Sequence, residues 1–277
     1  MSGPDTATLH TVLETAAWAP SAQNSQPWRW HVDAAGLHLD ADWDRRLGDS
    51  PFDRSDVLLA CGAVLDHCAL ALSAAGWGAR IRRFPDRAGR LASFELIESV
   101  PHPASRELVD MIPRRRSDRR GYGGSALPPT TAELLLIRAA RFGVQFSVVP
   151  QDRWRRHEDG QVELHYGRDA AAVHRDDDGV LVVLATDGDD DLARLRAGEA
   201  ASHLLLSATA LGLASCPLTD PLRSTRDRLA LACEIFDGRA HPQILMRIGP
   251  RPAGAAELPS ALRRPLAETT TWSPLGR

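Results

Sequence analysis

Two long apolar segments, each closed by a glycine, constrain the fold of this 277-residue chain more than any other feature. Residues 62–76 read GAVLDHCALALSAAG and align without gaps on residues 198–212, GEAASHLLLSATALG, so that His67 coincides with His203. Both segments predict a buried helix that ends at its glycine. Two explanations of the match stay open: duplication of an ancestral half, or the shared composition of two alanine-rich helices.

The elements predicted around the two segments occur in a similar order, which favours duplication. Periodicity and turn residues in the first half predict a helix, two strands, the long helix, a strand and a short helix. These elements lie at residues 7–18, 28–39 (turning at 33–36), 56–77, 94–97 and 106–111. The second half predicts a helix, two strands, the second long helix, a further helix and a strand, followed by an extended arm. These lie at residues 130–141, 144–149, 180–186, 199–211, 225–233 and 243–248, with the arm from 251.

The basic residues exclude several classes of chemistry. All 33 are arginine, against 36 acidic residues, which gives a formal net charge of −3. A chain without lysine cannot form an internal Schiff base, which excludes pyridoxal phosphate and Schiff-base aldolase chemistry. It also lacks the lysine that a P-loop requires. The nearly balanced charge predicts neither nucleic-acid nor membrane-surface binding.

The cysteines and the N-terminus give an expectation about compartment. Cys61, Cys68, Cys216 and Cys233 form no Cys-x-x-Cys pair and no zinc-site spacing, and they lie in apolar runs. We expect them to be small, reduced core residues. The N-terminus lacks a basic region followed by an apolar run, and no apolar stretch reaches the roughly 20 residues that span a bilayer. These patterns predict a soluble, cytoplasmic protein without a signal peptide.

An arginine cluster at residues 114–120, RRRSDRR, is the first candidate site. Five arginines within seven residues repel one another unless an anion or water separates them. Guanidinium groups make bidentate hydrogen bonds to phosphate, and Ser117 could add a hydroxyl donor. A solvated basic loop is the alternative that stays open. A nucleic-acid patch is disfavoured because basic residues do not dominate the chain.

A polar loop near the N-terminus is the second candidate. Pro20 and Pro27 bracket a run of hydroxyl and amide side chains, SAQNSQ, and Trp28 closes it. Fixed donors and acceptors of this kind suit the edge of a planar heterocycle, whereas a tight surface turn would not require so many of them. Trp28 and Trp30 are themselves predicted to be core residues.

These motifs, in this order, resemble the nitroreductase family of FMN oxidoreductases. Residues 19–28, APSAQNSQPW, resemble its flavin-contacting segment, and Arg115-x-Ser117-x-Arg119 resembles its phosphate motif. Residues 208–218 resemble its long central helix and the loop that follows, and residues 262–266, LRRPL, resemble its C-terminal basic segment. The order of the blocks matches the Acg-like NAD(P)H nitroreductases of actinobacteria. The resemblance covers nearly the whole chain except about residues 151–178.

The resemblance implies an α+β, nitroreductase-like fold. Two pseudo-repeats, each a mainly antiparallel sheet flanked by helices, would be fused into one closely packed unit, with halves at residues 1–112 and 113–277, the second including the C-terminal arm. Family members are homodimers with two FMN sites. In this chain only the first half keeps the polar segment and only the second keeps the phosphate motif, so the resemblance implies one FMN per chain and a monomer.

The resemblance also implies a role for each motif residue. Ser21, Asn24 and Gln26 would contact the flavin ring, and backbone N–H groups near Thr219 and Asp220 would lie beside flavin N5. The phosphate would be bound by Arg115, Ser117, Arg119 and one or both of Arg263 and Arg264. NADH or NADPH would reduce the flavin transiently, and a nitroaromatic or quinone-like small molecule would accept the electrons. No side-chain acid, base or nucleophile and no metal is required, and no Ser-His-Asp or Cys-His arrangement stands out in the sequence.

Two departures from the family pattern keep alternatives open. The region 151–178 is shorter than in Acg-like relatives, and some Acg-like proteins cover their flavin with a lid. A flavin-sequestering or storage protein with little reductase activity is therefore one alternative, and a degenerate, FMN-free binding module is another. Within the short region, residues 174–178, HRDDD, resemble a metal loop, but carboxylates before a glycine are more typical of a solvated turn.

Overall fold

The computed structural model describes residues 3–34, 36–86, 89–123, 128–166, 179–251 and 254–273. Its α-helices are α1 (Thr6–Ala16), α2 (Pro51–Ala74), α3 (Pro103–Met111), α4 (Pro129–Ala140), α5 (Asp191–Ala210), α6 (Thr225–Phe236) and α7 (Leu266–Thr269). Its strands are β1 (Trp28–Asp33), β2 (Gly36–Ala41), β3 (Trp77–Arg83), β4 (Ala92–Glu98), β5 (Gln145–Val148), β6 (Trp154–Arg156), β7 (Val162–Leu164), β8 (Val180–Thr186), β9 (Leu213–Leu218), β10 (His241–Pro250) and β11 (Thr270–Trp272). This mixture is the α+β composition that the sequence predicts.

The chain divides into two compact units. The first unit is Met1–Arg114 with Ala261–Arg277, and the second is Arg115–Ser260. The C-terminal arm therefore differs from its expected place in the second half. The physical reason is that β11 pairs in parallel with β1, with Thr270 opposite Trp30, so the arm adds a strand to the first unit's sheet.

The first unit is built on a five-stranded sheet with the order β11-β1-β2-β4-β3. All its pairs except β11 with β1 are antiparallel. Side chains alternate between the two faces of a strand, and the inner face carries Trp28, Trp30 and Phe94, all of which are buried. The predicted hairpin of β1 and β2 and the predicted burial of both tryptophans are confirmed.

Helix α2 is the central helix of the first unit. It begins at a capping box in which the Ser50 hydroxyl accepts from the Asp53 N–H and the Asp53 carboxylate accepts from the Ser50 N–H. By length and composition its 24 residues could cross a membrane, so the expectation that no apolar stretch is long enough is wrong for this helix. Most of its apolar surface is buried inside the protein, as in a core helix.

The second unit contains a four-stranded antiparallel sheet with the order β5-β8-β10-β9 and a separate hairpin of β6 and β7. The hairpin falls in the region where the sequence has little periodicity, yet Trp154, Val162 and Leu164 anchor it in the core beside β8, β9 and β10. The proposed turn at residues 174–178 lies outside the described residues.

The glycines that close the two aligned segments have the same conformation. Gly76 follows α2 with φ +88°, and Gly212 follows α5 with φ +76°. This left-handed region favours glycine, which explains why both helices end there. The predicted helix ends are confirmed to within two or three residues.

Three of the four cysteines are in the core, as predicted. Cys61, Cys68 and Cys216 are buried, whereas Cys233 is exposed. The expectation is therefore wrong for Cys233. It lies on α6, where Leu231 and Ala232 take the buried positions and leave Cys233 at the surface.

Candidate functional site

The polar segment of the first unit forms a tight turn before β1. Residues Ala22–Asn24 make one turn of 3-10 helix, and the Ser21 hydroxyl accepts from the Gln26 N–H at 2.9 Å. Gln23, Asn24 and Gln26 have φ of 48°, 57° and 49°, a region that costs a non-glycine residue on the order of 1 kcal/mol or more. Such strain persists only where the surroundings fix the backbone.

Asn24 ties this turn to the C-terminal arm. Its side-chain N–H donates to the Leu262 carbonyl at 2.9 Å, and its side-chain oxygen accepts from Arg263 at 3.3 Å. Arg263 also donates to the Trp18 carbonyl at 3.1 Å and lies over the Trp18 ring, 5.2 Å from its centroid. The predicted flavin segment and the predicted basic segment are thus in direct contact, although they are 238 residues apart.

Gln26 makes a second tie to the same arm. Its side-chain oxygen accepts from the Arg264 N–H at 2.9 Å, and its backbone carbonyl accepts from the Arg264 guanidinium at 3.0 Å. That guanidinium also contacts the carboxylate of Asp42 at 3.3 Å, and Asp42 accepts from Arg29 at 3.0 Å on its other oxygen. Asp42 is 3% exposed, so Arg264 is held by a buried carboxylate.

The two arginines of the arm therefore differ in their surroundings. Arg264 has a carboxylate partner in Asp42 and a second in Glu268, 3.6 Å away. Arg263 donates to neutral groups, namely the Asn24 amide and the carbonyls of residues 18, 261 and 262. Both predicted phosphate ligands of this unit therefore lie on the C-terminal arm and are held there by hydrogen bonds.

In the second unit the arginine cluster runs alongside β9. Ser117 forms a parallel bridge with Ser215, and the Asp118 N–H donates to the Ser215 carbonyl at 2.9 Å. The cluster is therefore not a detached basic loop, because its backbone extends the edge of the four-stranded sheet. Backbone pairing fixes where its side chains project.

The three residues of the predicted phosphate motif lie at alternate positions of this segment. Arg115 is buried at 6% exposure, and its guanidinium donates to the Ser117 hydroxyl at 3.3 Å. Ser117 and Arg119 are exposed. A buried guanidinium joined to an exposed hydroxyl provides donors at fixed positions, which is what recognition of a phosphate requires.

Arg116 and Arg120 of the cluster form hydrogen bonds with side chains of the second unit. Arg120 makes a two-pronged hydrogen bond to the Asp118 carboxylate, at 2.7 and 2.9 Å, and Arg116 donates to Ser260 at 2.6 Å. Burial of Asp118 would raise its pKa, but the hydrogen bonds from Arg120 and the charges of Arg120 and Arg247 outweigh burial and hold the pKa below its usual value. Asp118 therefore neutralises one arginine and removes part of the repulsion within the cluster.

Thr219 and Asp220 lie at the far end of the same strand. β9 ends at Leu218, and a 3-10 turn follows from Asp220, in which the Leu222 N–H donates to the Thr219 carbonyl at 3.0 Å. At roughly 3.3 Å per residue, four residues of strand separate Ser215 from Thr219 by about 13 Å. β9 thus pairs with the predicted phosphate segment at Ser215 and leads directly into the predicted N5 contacts.

Each unit therefore assembles one part of the predicted set. The first unit brings Asn24 and Gln26 into contact with Arg263 and Arg264, and Ser21 fixes the turn. The second unit brings Arg115 into contact with Ser117, with Arg119 two residues further along, while Thr219 and Asp220 lie at the other end of the adjoining strand.

Several polar contacts were not predicted from the sequence. Asp42 is a buried anchor for an arginine 222 residues away, and a spacing pattern cannot reveal such a pair. His38 contacts the Ser93 hydroxyl at 2.9 Å and the Asp33 carboxylate at 3.2 Å, a Ser-His-Asp contact that does not stand out in the sequence. These three side chains lie on β2, β4 and β1, where cross-strand polar contacts are typical of sheet pairing.

Comparison with known proteins gives several independent matches. The sequence model of the nitroreductase family matches residues 2–52 of this chain. The chain is 37% identical to "Putative NAD(P)H nitroreductase Rv3131" of Mycobacterium tuberculosis, over 97% of this chain and 92% of that protein. It is 29% identical to "Putative NAD(P)H nitroreductase acg" of the same organism, over 96% of this chain and 97% of that protein.

A solved structure supports the fold. The structure of a "putative nitroreductase" from Anabaena variabilis is 12% identical, covers 91% of this chain and 90% of its own, and superposes with a TM-score of 0.56. The alignment with the 37% identical relative is 318 residues long, so that relative contains residues that this 277-residue chain lacks. Identity at this level over nearly the whole of both proteins establishes kinship, and the chain belongs to the nitroreductase family of oxidoreductases.

Proposed function

We propose that this chain binds one FMN and transfers hydride from NADH or NADPH, through the flavin, to a nitroaromatic or quinone-like acceptor. Its membership of the nitroreductase family supports this proposal. The observation that carries it is the contact between buried Arg115 and the Ser117 hydroxyl, on a segment bonded to β9. Thr219 and Asp220 at the end of β9 supply the second group of contacts.

The donors of the second unit fit the chemistry of a phosphate monoester. Arg115 offers a planar fork of N–H donors, Ser117 a hydroxyl, and Arg119 an exposed second guanidinium. Each charge-assisted hydrogen bond contributes about 1.5–3 kcal/mol, so two or three of them account for a tightly held phosphate. Both oxygens of Asp118 accept from Arg120, so this carboxylate is already paired and does not have to compete with the phosphate for the donors of Arg115 and Ser117.

In the first unit we assign a supporting role to the two amide side chains. Asn24 and Gln26 hold the arm that carries Arg263, and Arg264 anchors the arm to Asp42. One or both of Arg263 and Arg264 would contribute to phosphate binding. The contacts of Ser21, Asn24 and Gln26 with the flavin ring stay a prediction. Both the side chains and the backbone groups of these residues would take part in those contacts.

Bound FMN would supply the redox chemistry, by taking a hydride from the nicotinamide and passing electrons to the acceptor. The residues of this chain bind and orient it. Arg115 and Ser117 would hold the phosphate, and the backbone N–H groups near Thr219 would hydrogen-bond the edge of the ring. Under this proposal no side chain has to donate or accept a proton as an acid or base.

The proposal is tested by spectroscopy on the purified protein. The visible spectrum is recorded after incubation with FMN and removal of unbound flavin, and NADH or NADPH is then added without oxygen. Free FMN at the same concentration is the control. We expect the bound flavin to bleach with at least one donor, faster than free FMN, and to regain its colour when a quinone or nitroaromatic is added.

Two other outcomes would contradict the proposal in different ways. Bound flavin that stays oxidised with both donors would identify a flavin-storage protein. A colourless protein that takes up no FMN would exclude both functions and leave a binding module without cofactor.

A further inference from the structure

A buried arginine lies directly beneath the segment that carries the phosphate motif. Arg247 is on β10, opposite Cys216 of β9, and is 1% exposed. Its guanidinium donates to the carbonyl of Asp118 at 3.4 Å and to the carbonyl of Arg120. One buried side chain therefore holds two backbone positions of residues 115–120.

Tyr122 completes this attachment. The centroid of its ring lies 4.0 Å from the Arg247 guanidinium carbon, and its hydroxyl donates to the same Asp118 carbonyl at 2.9 Å. Gly249, two residues after Arg247 on β10, leaves space for the ring, since a Cβ there would approach a Tyr122 ring carbon to 2.8 Å. Burial raises the pKa of Tyr122 above its usual value, which favours the protonated hydroxyl that donates to Asp118.

We propose that Arg247, together with Tyr122, is a positioning residue for phosphate recognition, an inference that rests on the proposed function. Arg247 holds the carbonyls at positions 118 and 120, while Ser117 and Arg119 are exposed at positions 117 and 119. The buried side chain thereby fixes the backbone from which both exposed ligands project. It acts through that backbone and needs no contact with the phosphate.

The chemistry of the position explains why it is arginine. Burying a guanidinium is costly unless its donors are satisfied, so a purely structural position would more readily hold an apolar residue. Here Nη2 of the guanidinium donates to both carbonyls while the guanidinium lies over an aromatic ring, and lysine has no planar group to stack in this way. Its fixed positive charge also lowers the cost of bringing an anion to this segment.

The inference is tested by measuring the affinities of wild type and variants for FMN and for riboflavin, which lacks the phosphate. The variants are Arg247→Lys, Arg247→Met and Tyr122→Phe, and the matched control is the exposed Arg239→Met. Binding is measured well below the melting temperature of each variant. We expect FMN affinity to fall by about tenfold or more for both Arg247 variants and by about threefold for Tyr122→Phe, in line with the loss of charged and neutral hydrogen bonds. Riboflavin affinity should stay within about twofold of wild type.

The ratio of the two affinities separates positioning from a general structural role. Equal weakening of FMN and riboflavin binding would overturn the inference, as would unchanged FMN affinity in Arg247→Lys and Arg247→Met. If Arg247→Met fails to fold, Arg247→Lys and Tyr122→Phe still decide the question through the same ratio. A wild-type protein that binds neither ligand would instead overturn the proposed function, and this inference with it.

Discussion

The two units share an architecture but use their polar segments differently. Each has a mainly antiparallel sheet and a long apolar helix that ends before a glycine of positive φ. In the first unit the polar side chains of Asn24 and Gln26 are engaged in holding the C-terminal arm. In the second unit Ser117 and Arg119 are exposed on a segment whose backbone carbonyls at positions 118 and 120 accept from buried Arg247.

This difference separates anchoring from recognition. The amides of Asn24 and Gln26 are used to hold the arm. Ser117, which also accepts from Arg115, and Arg119 are by contrast exposed on a fixed backbone and are preorganised for a ligand. The second unit therefore carries the stronger claim to the phosphate. The same asymmetry is the reason to expect one FMN for each chain, although the long helices of the two units are alike.

The largest expected effect is on the phosphate motif. Replacing both Arg115 and Ser117 by alanine should reduce FMN affinity by about 100-fold or more, because at least two charge-assisted hydrogen bonds are lost. Fluorescence titration with FMN measures the change. Arg114→Ala, which removes the same charge from an exposed neighbouring position, is the control and should change affinity by less than about threefold. Equal losses in the two proteins would mean that general charge, and not this motif, holds the phosphate.

The next prediction concerns Asp42, the buried carboxylate that anchors the C-terminal arm in the first unit. Asp42→Asn removes the buried carboxylate that joins Arg29 and Arg264, and should lower the free energy of unfolding by about 2 kcal/mol. Arg264 keeps Glu268 as a partner, so the loss stays below that of a fully isolated buried charge. Chemical denaturation measures stability, and limited trypsin digestion should cut the C-terminal arm faster. Asp44→Asn at an exposed position is the control, and a variant as stable and resistant as this control would refute the anchoring role.

The next prediction concerns the pH dependence of stability that Asp118 gives to the second unit. The lowered pKa of Asp118 means that its ion pair with Arg120 stabilises the fold above the ordinary carboxyl pKa of about 3.9 and is lost as the pH falls through the depressed value. Asp118→Asn should therefore lose stability at neutral pH and show a weaker acid dependence below about pH 4. The effect should be smaller than that of Asp42→Asn, because the Arg120 side chain is 38% exposed. Parallel curves of melting temperature against pH for variant and wild type would contradict it.

The last prediction, which has the smallest change in stability, compares the N-caps of the two long helices α2 and α5. Ser50→Ala removes the capping box of α2, and Asp190→Ala removes the side chain that accepts from the Ala193 N–H at the start of α5. Each substitution should cost about 1 kcal/mol in the free energy of unfolding, since a helix N-cap of this kind contributes that much. Ser55→Ala within the first turns of α2 is the control. A loss confined to one of the two caps would show that the helices are not equivalent in stability.

The sequence predicted those elements whose pattern is local. Strand β8 has its predicted bounds because an apolar run lies between turn residues, and α6 begins at its predicted residue, Thr225, after the cap Ser224. The positive φ of Gly76 and Gly212 likewise follows from their place after a long apolar helix.

Elements that depend on distant partners escaped prediction. β9 reads LASCPL, which has low strand propensity, and it is a strand because β10 pairs along its whole length. β3 carries exposed arginines and follows α2 directly; only its first residue, Trp77, falls within the predicted helix, and its remaining residues carry no strand prediction. The ties from Asn24 to Leu262 and from Arg264 to Asp42 join residues more than 200 positions apart, which periodicity and spacing cannot reveal.

The motifs of the candidate site could be found in the sequence, but their division of labour could not. The sequence places Arg263 and Arg264 side by side as equal phosphate ligands, and only the contacts with Asp42 and Asn24 separate them. Arg247 carried no signal, because a single arginine within an apolar strand has no pattern of its own. Its role follows from the two carbonyls and the ring that surround it.

The stoichiometry of FMN binding decides whether each chain holds one FMN. Apoprotein at a concentration well above the dissociation constant is titrated with FMN, and bound flavin is counted after unbound flavin is removed. The asymmetry of the two units predicts a sharp end point at one FMN per chain, which Arg115→Ala combined with Ser117→Ala abolishes. An end point at two, or no uptake by the wild-type protein, would show that the chain does not bind one FMN.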